Sequence, residues 1–180
     1  MEISEVLQLG IEAAIALAGF AGVIATFQTS KSRSLNRSTV AAVTVITRCS
    51  LLVGLACAIT LMLQSFGVIG STLWAISSAI GAVMMAGVAF SIARSIKGTT
   101  YKRSVRVLYL ALQGLGGLVV LALILNAVGL VFNREPGPFI AGAVYGLSLA
   151  GIMFSRLLLI PLWRNVREIE KENLQGASAA

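Results

Sequence analysis

The sequence predicts an all-α fold: a polytopic membrane helix bundle of about five transmembrane helices, N-terminus out and C-terminus in. Three observations predict it. Only 12% of the 180 residues are charged and 57% are hydrophobic, with a mean hydropathy of +0.91; a domain that must cover itself in water carries roughly 25% charged residues. The apolar residues gather into runs of about the 20 residues that a hydrocarbon core of about 30 Å requires. The basic residues gather at the ends of those runs: Lys31, Arg33 and Arg37, then Arg94, Lys97, Lys102, Arg103 and Arg106, then Arg164, Arg167 and Lys171. A thread of five spans puts all three clusters on one side and leaves Arg134 on the other, which is how short cytoplasmic loops are charged. A four-span thread buries a cluster or puts it outside.

The spans follow in order. The first covers residues 3–28; its amino-terminal side carries Glu2 and Glu5 and its basic flank comes after it, unlike a cleaved signal peptide. The Ser-, Arg- and Asn-rich stretch over residues 29–38 reads as a loop. The second span covers 39–66, and Gly67 and Gly70 mark a tight turn after it. Ser71 or Thr72 is the expected N-cap of the third span, 72–95. The loop around Gly98 leads to the fourth span, 105–132. It leaves the membrane through Asn133-Arg134-Glu135-Pro136-Gly137-Pro138, rich in turn formers, with Pro138 suited to a first helical position. The fifth span covers 138–163 and closes at Trp163 and Arg164. Residues 1–163 thus form one transmembrane bundle, and 164–180 a cytoplasmic tail: a solvated extension of the fifth helix, or a docking helix, ending in a loose Gly-Ala-Ser-Ala-Ala stretch.

Composition excludes several function classes. The net charge of +7 falls at span ends and not along a groove, so the expected partner is the lipid bilayer, with no nucleic acid. Histidine and aspartate are absent, which removes imidazole bases, histidine metal ligands and aspartyl phosphate chemistry. No catalytic residue, cofactor or metal site is expected, and the chain is not read as an enzyme. Cys49 and Cys57 lie on one helix, about 12 Å apart by rise, too far for a disulfide. The odd span count and the lack of an internal repeat weigh against an inverted-repeat transporter.

Three groups of residues remain as candidates. Glu5, Glu12, Gly19 and Thr26 recur every seven residues on the first helix and form one stripe. Either it is a packing seam, or, in a homo-oligomer with this helix at the axis, it lines a cation-attracting pore. Arg48 and Arg156 lie inside apolar sequence; they snorkel to the interface, or they form an inner basic or lipid-phosphate site. Gly142, Gly146 and Ala150 make a small-xxx-small packing stripe on the fifth helix, as Ala14, Ala18 and Gly22 do on the first. Gln64, Gln113 and Asn126 are expected to bond across to neighbouring helices.

Together these read as an integral membrane protein that forms or joins an oligomeric assembly, with an ion or small-solute channel as the most concrete version. The alternative is a structural or accessory subunit of a larger membrane complex. The expected partner is thus a second copy or another membrane protein. Short loops, and a lone Asn36-Arg37-Ser38 sequon on the inner side, point to a prokaryotic plasma (inner) membrane.

The topology is directly testable. A cysteine replacing Glu135 should react with an impermeant maleimide added outside intact cells, and one replacing Gly98 should not. Equal labelling at the two positions rules out five spans.

Overall fold

The computed structural model describes residues 2–31, 37–96 and 103–178, and among them the chain forms five α-helices and no strand. They are α1 (Ile3–Lys31), α2 (Arg37–Ser65), α3 (Gly70–Ile96), α4 (Arg103–Val128) and α5 (Gly137–Ser178). Each holds a stretch long and apolar enough to cross a membrane: Ile3–Phe27, Ala42–Ser65, Gly70–Ser91, Leu110–Val128 and Gly137–Leu159. The fold is therefore all-helical, and its five apolar helices mark a multi-pass membrane protein. Arg33, Lys97, Gly98 and Lys102 lie outside the described residues.

Helix ends follow local chemistry. Gly67 follows α2 at φ 81°, where it lets Val68 N–H donate to the Leu63 carbonyl at 3.1 Å. Gly129 does the same after α4, at φ 81°, with Leu130 N–H on the Leu125 carbonyl at 3.1 Å. Both are left-handed caps that satisfy the last helical carbonyls, and glycine adopts them without a Cβ penalty. Three boundaries differ from expectation. The α4 helix stops at Val128 rather than running to 132, because this cap overrides the apolar run Leu130-Val131-Phe132, which turns back exposed. The α3 helix begins at Gly70, so Ser71 and Thr72 lie in its first turn and do not precede it. The α5 helix continues through Pro161 to Ser178, so Gly176 and Ser178 are helical rather than a loose end.

Consecutive helices run antiparallel, and α5 returns to the centre, where it touches all four others. Among the described residues α1 touches only α2 and α5, and α4 only α3 and α5. The core has two halves. One, toward the turn ends of α2 and α4, gathers Leu7, Val53, Cys57, Trp74, Leu123 and Phe139. The other, toward the basic end, gathers Ala21, Ile46, Cys49, Val88, Ala150 and Met153.

Small residues set the helix spacings. A Cβ on Gly146 of α5 would sit 2.5 Å from Val53 Cγ2 of α2, and one on Gly54 of α2 would sit 3.1 Å from Ala14 Cβ of α1. On Gly116 of α4 it would meet the Tyr145 hydroxyl at 2.9 Å, which is how that hydroxyl reaches the Leu112 carbonyl at 2.7 Å. Gly81 is different. It lines a narrow apolar cavity between α2, α3, α4 and α5, and a Cβ there meets Phe139 Cε2 at 3.6 Å and Leu123 Cδ1 at 3.7 Å, ordinary contact distances.

The two glycines should therefore respond oppositely to the same substitution. Gly81→Ala should raise thermal stability in detergent by about 0.5–1 kcal/mol, through helix propensity and added contact. Gly146→Ala should lower it by about 1–3 kcal/mol through overpacking against Val53, and Gly146→Leu by more. Unchanged melting for Gly146→Leu would place that stripe against lipid.

Candidate functional site

The α1 helix carries two opposite faces. Leu7, Ala14 and Ala21 are buried at 2%, 1% and 0% exposure and pack inward. Glu5, Glu12, Gly19 and Thr26 each precede one of these positions by two, or follow the series, so they lie about 160° around the helix. All four are exposed, as are Gln8, Ile15 and Gly22, which fill the intervening positions of the same heptad stripe. The seam toward α2 runs instead through Gly10, where a Cβ would meet Cys57 Sγ at 3.2 Å, and through Ala14, against Gly54. Gly19 and Gly22 face open space, with nothing within 4 Å of a Cβ.

The polar atoms of this outward stripe are not alike. Glu5 Oε2 accepts the Glu2 backbone N–H at 3.0 Å, the return half of a capping box, so its carboxylate already serves the helix start. Thr26 Oγ1 donates to the Gly22 carbonyl at 3.0 Å and is satisfied within its own helix. Gln8 Nε2 approaches Glu12 Oε1 at 3.5 Å, the outer limit of a hydrogen bond. By helix rise Glu12 lies about 13 Å below Ile3 and about 5 Å from the middle of the apolar stretch. The outward face of α1 thus presents a carboxyl, an amide and two bare glycines where hydrocarbon would be. Lipid tails offer none of these groups a partner.

The buried polar residues other than Ser50, by contrast, are bonded across helices. Asn126 of α4 is fully buried; its Nδ2 donates to Ser78 Oγ of α3 at 2.8 Å and to the Glu135 carbonyl at 2.9 Å, and its Oδ1 accepts the Glu135 N–H at 3.1 Å. It ties the α4–α5 turn, with Asn133 and Arg134 at positive φ, to the bundle. Gln113 Nε2 donates to the Ala89 carbonyl of α3 at 3.0 Å. Gln64 is exposed near the end of α2. Sequence reasoning missed five polar contributors: Thr60 of α2 and Ser77 of α3, whose hydroxyls lie 3.0 Å apart, and Ser78, Ser91 and Tyr145. The adjacent serines in the middle of an apolar run were the available signal. Ser50 Oγ is buried with no hydrogen-bond partner among the described residues.

The two intramembrane arginines lie apart. Arg48 of α2 donates from Nη1 to Ser91 Oγ of α3 at 2.6 Å. Arg156 lies on α5, half-buried. Because α2 and α5 run antiparallel through Val53 and Gly146, Arg156 is level with about residue 43 of α2, about 7 Å nearer the basic end than Arg48. The packing stripe of α5 is buried throughout: Gly142 against Leu123 and Val119, Gly146 against Val53, and Ala150 at 0% exposure. Among the described residues no group of His, Cys, Asp and Glu is arranged to hold a metal. No family model, curated protein or solved structure matches this chain.

The Asn126 bonds should dominate the polar contribution to stability. At about 0.6 kcal/mol for an average bond of this kind in a membrane protein, three give about 2 kcal/mol. Asn126→Ala should therefore lower thermal stability in detergent by about that amount, and Gln113→Ala by about a third of it. Equal losses would mean that the turn is held by something else.

Proposed function

We propose that this protein forms an oligomeric assembly in a prokaryotic plasma membrane, N-terminus out and C-terminus in, with α1 as its contact between copies. The single observation that carries the reading is the outward face of α1. Gln8, Glu12, Gly19 and Gly22 are exposed there, turned from the buried Leu7, Ala14 and Ala21 by about 160° for Glu12 and Gly19 and about 100° for Gln8 and Gly22. A helix that met only lipid would present no carboxyl or amide among the exposed Ile15, Phe20 and Val23 of that surface; the glycines alone would not mark it, since α4 leaves Gly114 and Gly117 equally open. Bare glycines let a second backbone approach, and an amide one turn from a carboxyl gives a neighbour both a donor and an acceptor. The basic clusters supply the orientation.

In its most concrete form the assembly is an ion or small-solute channel in which α1 lines the path. A ring of Glu12 carboxyls with low-dielectric walls concentrates cations, Glu5 adds charge at the mouth, and Gly19 leaves a narrow waist. The alternative is an accessory subunit whose α1 face docks on another membrane protein. The same open glycines favour it, because they accept any close-packing helix.

Conductance separates the two. In reconstituted bilayers, replacing Glu5 and Glu12 together by Gln should lower cation conductance while assembly stays intact. The loss should be largest at low salt and shrink as the Debye length falls through about 8 Å at physiological strength. Conductance that ignores the substitution at every salt concentration would exclude α1 from the path. No conductance in either protein, with recovery of a partner complex altered, would favour the accessory subunit.

A further inference from the structure

We propose that the groove between α2 and α3 at the basic end holds an anionic phospholipid. Its phosphate is gripped by Arg48 and Arg94, and one acyl chain lies over Gly87. This assignment is independent of whether α1 associates with anything.

The starting point is an unbalanced charge. Arg48 lies six residues inside the apolar stretch Ala42–Ser65, about 9 Å by helix rise, and is exposed there. Its bond to Ser91 Oγ aims the guanidinium at α3, but a serine hydroxyl is neutral and leaves a permanent charge uncompensated. Among the described residues no carboxylate is near. Glu2, Glu5 and Glu135 belong to the opposite end of the bundle. Glu12, on the far face of α1, is about 12 Å away along the axis, because Ala14 is level with Gly54. On α5 the position level with Arg48 is about residue 151, which puts Glu168 about 25 Å further along by rise. The anion must come from outside the chain, and at this depth the abundant one is a lipid phosphate.

Two further features shape the site. Arg94 lies three residues beyond Ser91 on the same face of α3, about 4.5 Å nearer the interface, and its guanidinium rests 5.9 Å from the centre of the Phe90 ring. Arg94 thus stands about one turn from the Arg48–Ser91 pair, with its guanidinium over Phe90, and each of the two arginines presents a planar fork that fits phosphate oxygens. On the membrane side of Ser91, one turn back along α3, Gly87 is exposed with nothing within 4 Å of a Cβ. Opposite it, Leu51 and Leu55 lie on the Arg48 face of α2 and are 55% and 50% exposed. The result is a polar head site above a shallow apolar trough, the two chemistries of one lipid molecule. A zwitterionic lipid brings its own ammonium to the phosphate, so two arginines without a carboxylate favour a net negative headgroup.

The test uses the full chain in detergent, titrated with phosphatidylglycerol or with phosphatidylcholine of the same acyl chains, with and without inorganic phosphate. Melting temperature and native mass spectrometry are the readouts. Phosphatidylglycerol should raise the melting temperature more than phosphatidylcholine does, and R48Q should abolish that excess and weaken the apparent Kd about tenfold, the loss of one charge-assisted bond. R94Q should reduce the excess, and R156Q should leave it intact. G87L keeps both arginines and points its new side chain into open space; it should fold normally and lose the excess, so the site is tested even if R48Q does not fold. The proposal is overturned if the wild-type protein shows no excess, if G87L retains it, or if R156Q removes it as fully as R48Q. Reproduction of the full effect by inorganic phosphate in phosphatidylcholine would overturn it in favour of a free-anion site.

Discussion

Where α5 crosses α2, a hydrogen atom stands in for a side chain. With Gly146 in place the two helices approach until Val53 fills the space a Cβ would take, at 2.5 Å. In hydrocarbon there is no hydrophobic gain from bringing two apolar helices together, because lipid tails are as apolar as leucine, so association rests on contact area at short range. That constraint makes the position of α5 decisive. Among the described residues it alone touches every other helix, and its buried Gly142 and Gly146 face α4 and α2 directly. The rest of the bundle is arranged around the room those residues leave.

The polar bonds divide the helices into two kinds. The α3 helix is cross-linked to α2 through Ser77 and Ser91 and to α4 through Ser78 and the Ala89 carbonyl, while α5 reaches α4 through Tyr145. Among the described bonds α1 has none to another helix, and its close contacts to the bundle run through Gly10, Ala14 and Ala21. The exposed Gln8 and Glu12 of α1 thus take no part in the described bonds between helices. That distribution separates the residues that specify the fold from those left for association, and it gives Gln8 and Glu12 a different standing from Gln113 and Asn126, although all four are polar side chains in apolar sequence.

The number of helices and most of their limits were legible, because a span requires a long apolar run and its ends gather charge. The exceptions are informative. The run Leu130-Val131-Phe132 looks like helix to any hydropathy reading, yet Gly129 at φ 81° and the Asn126 side chain end α4 before it, a decision made by one backbone conformation and one buried amide. On α1 the period of seven was plain, but period alone does not say which of two opposite stripes faces inward. Glu5, Glu12, Gly19 and Thr26 recur as regularly as Leu7, Ala14 and Ala21; the partner helix, supplied by tertiary structure, chose the second set. Arg48 was visible as a charge in the wrong place, but Ser91, 43 residues away in the chain, was not visible as its partner. Gly116 passed unnoticed for the same reason: its role exists only because Tyr145 of another helix reaches past it.

The central position of α5 also bears on how such a chain is made. Helices enter a membrane in the order in which the ribosome delivers them, and of these five the one that touches all the rest arrives last. Until then α1 can pair with α2 and α3 with α4, since both contacts lie between chain neighbours, while among the described residues α1 has no contact with α3 or α4 even in the finished bundle. The nascent protein is therefore two hairpins joined through α2 and α3, with Val53 of α2 and Gly116 of α4, which await α5, still facing lipid. Folding is completed in a single late step, when the fifth helix slides between hairpins that are already inserted.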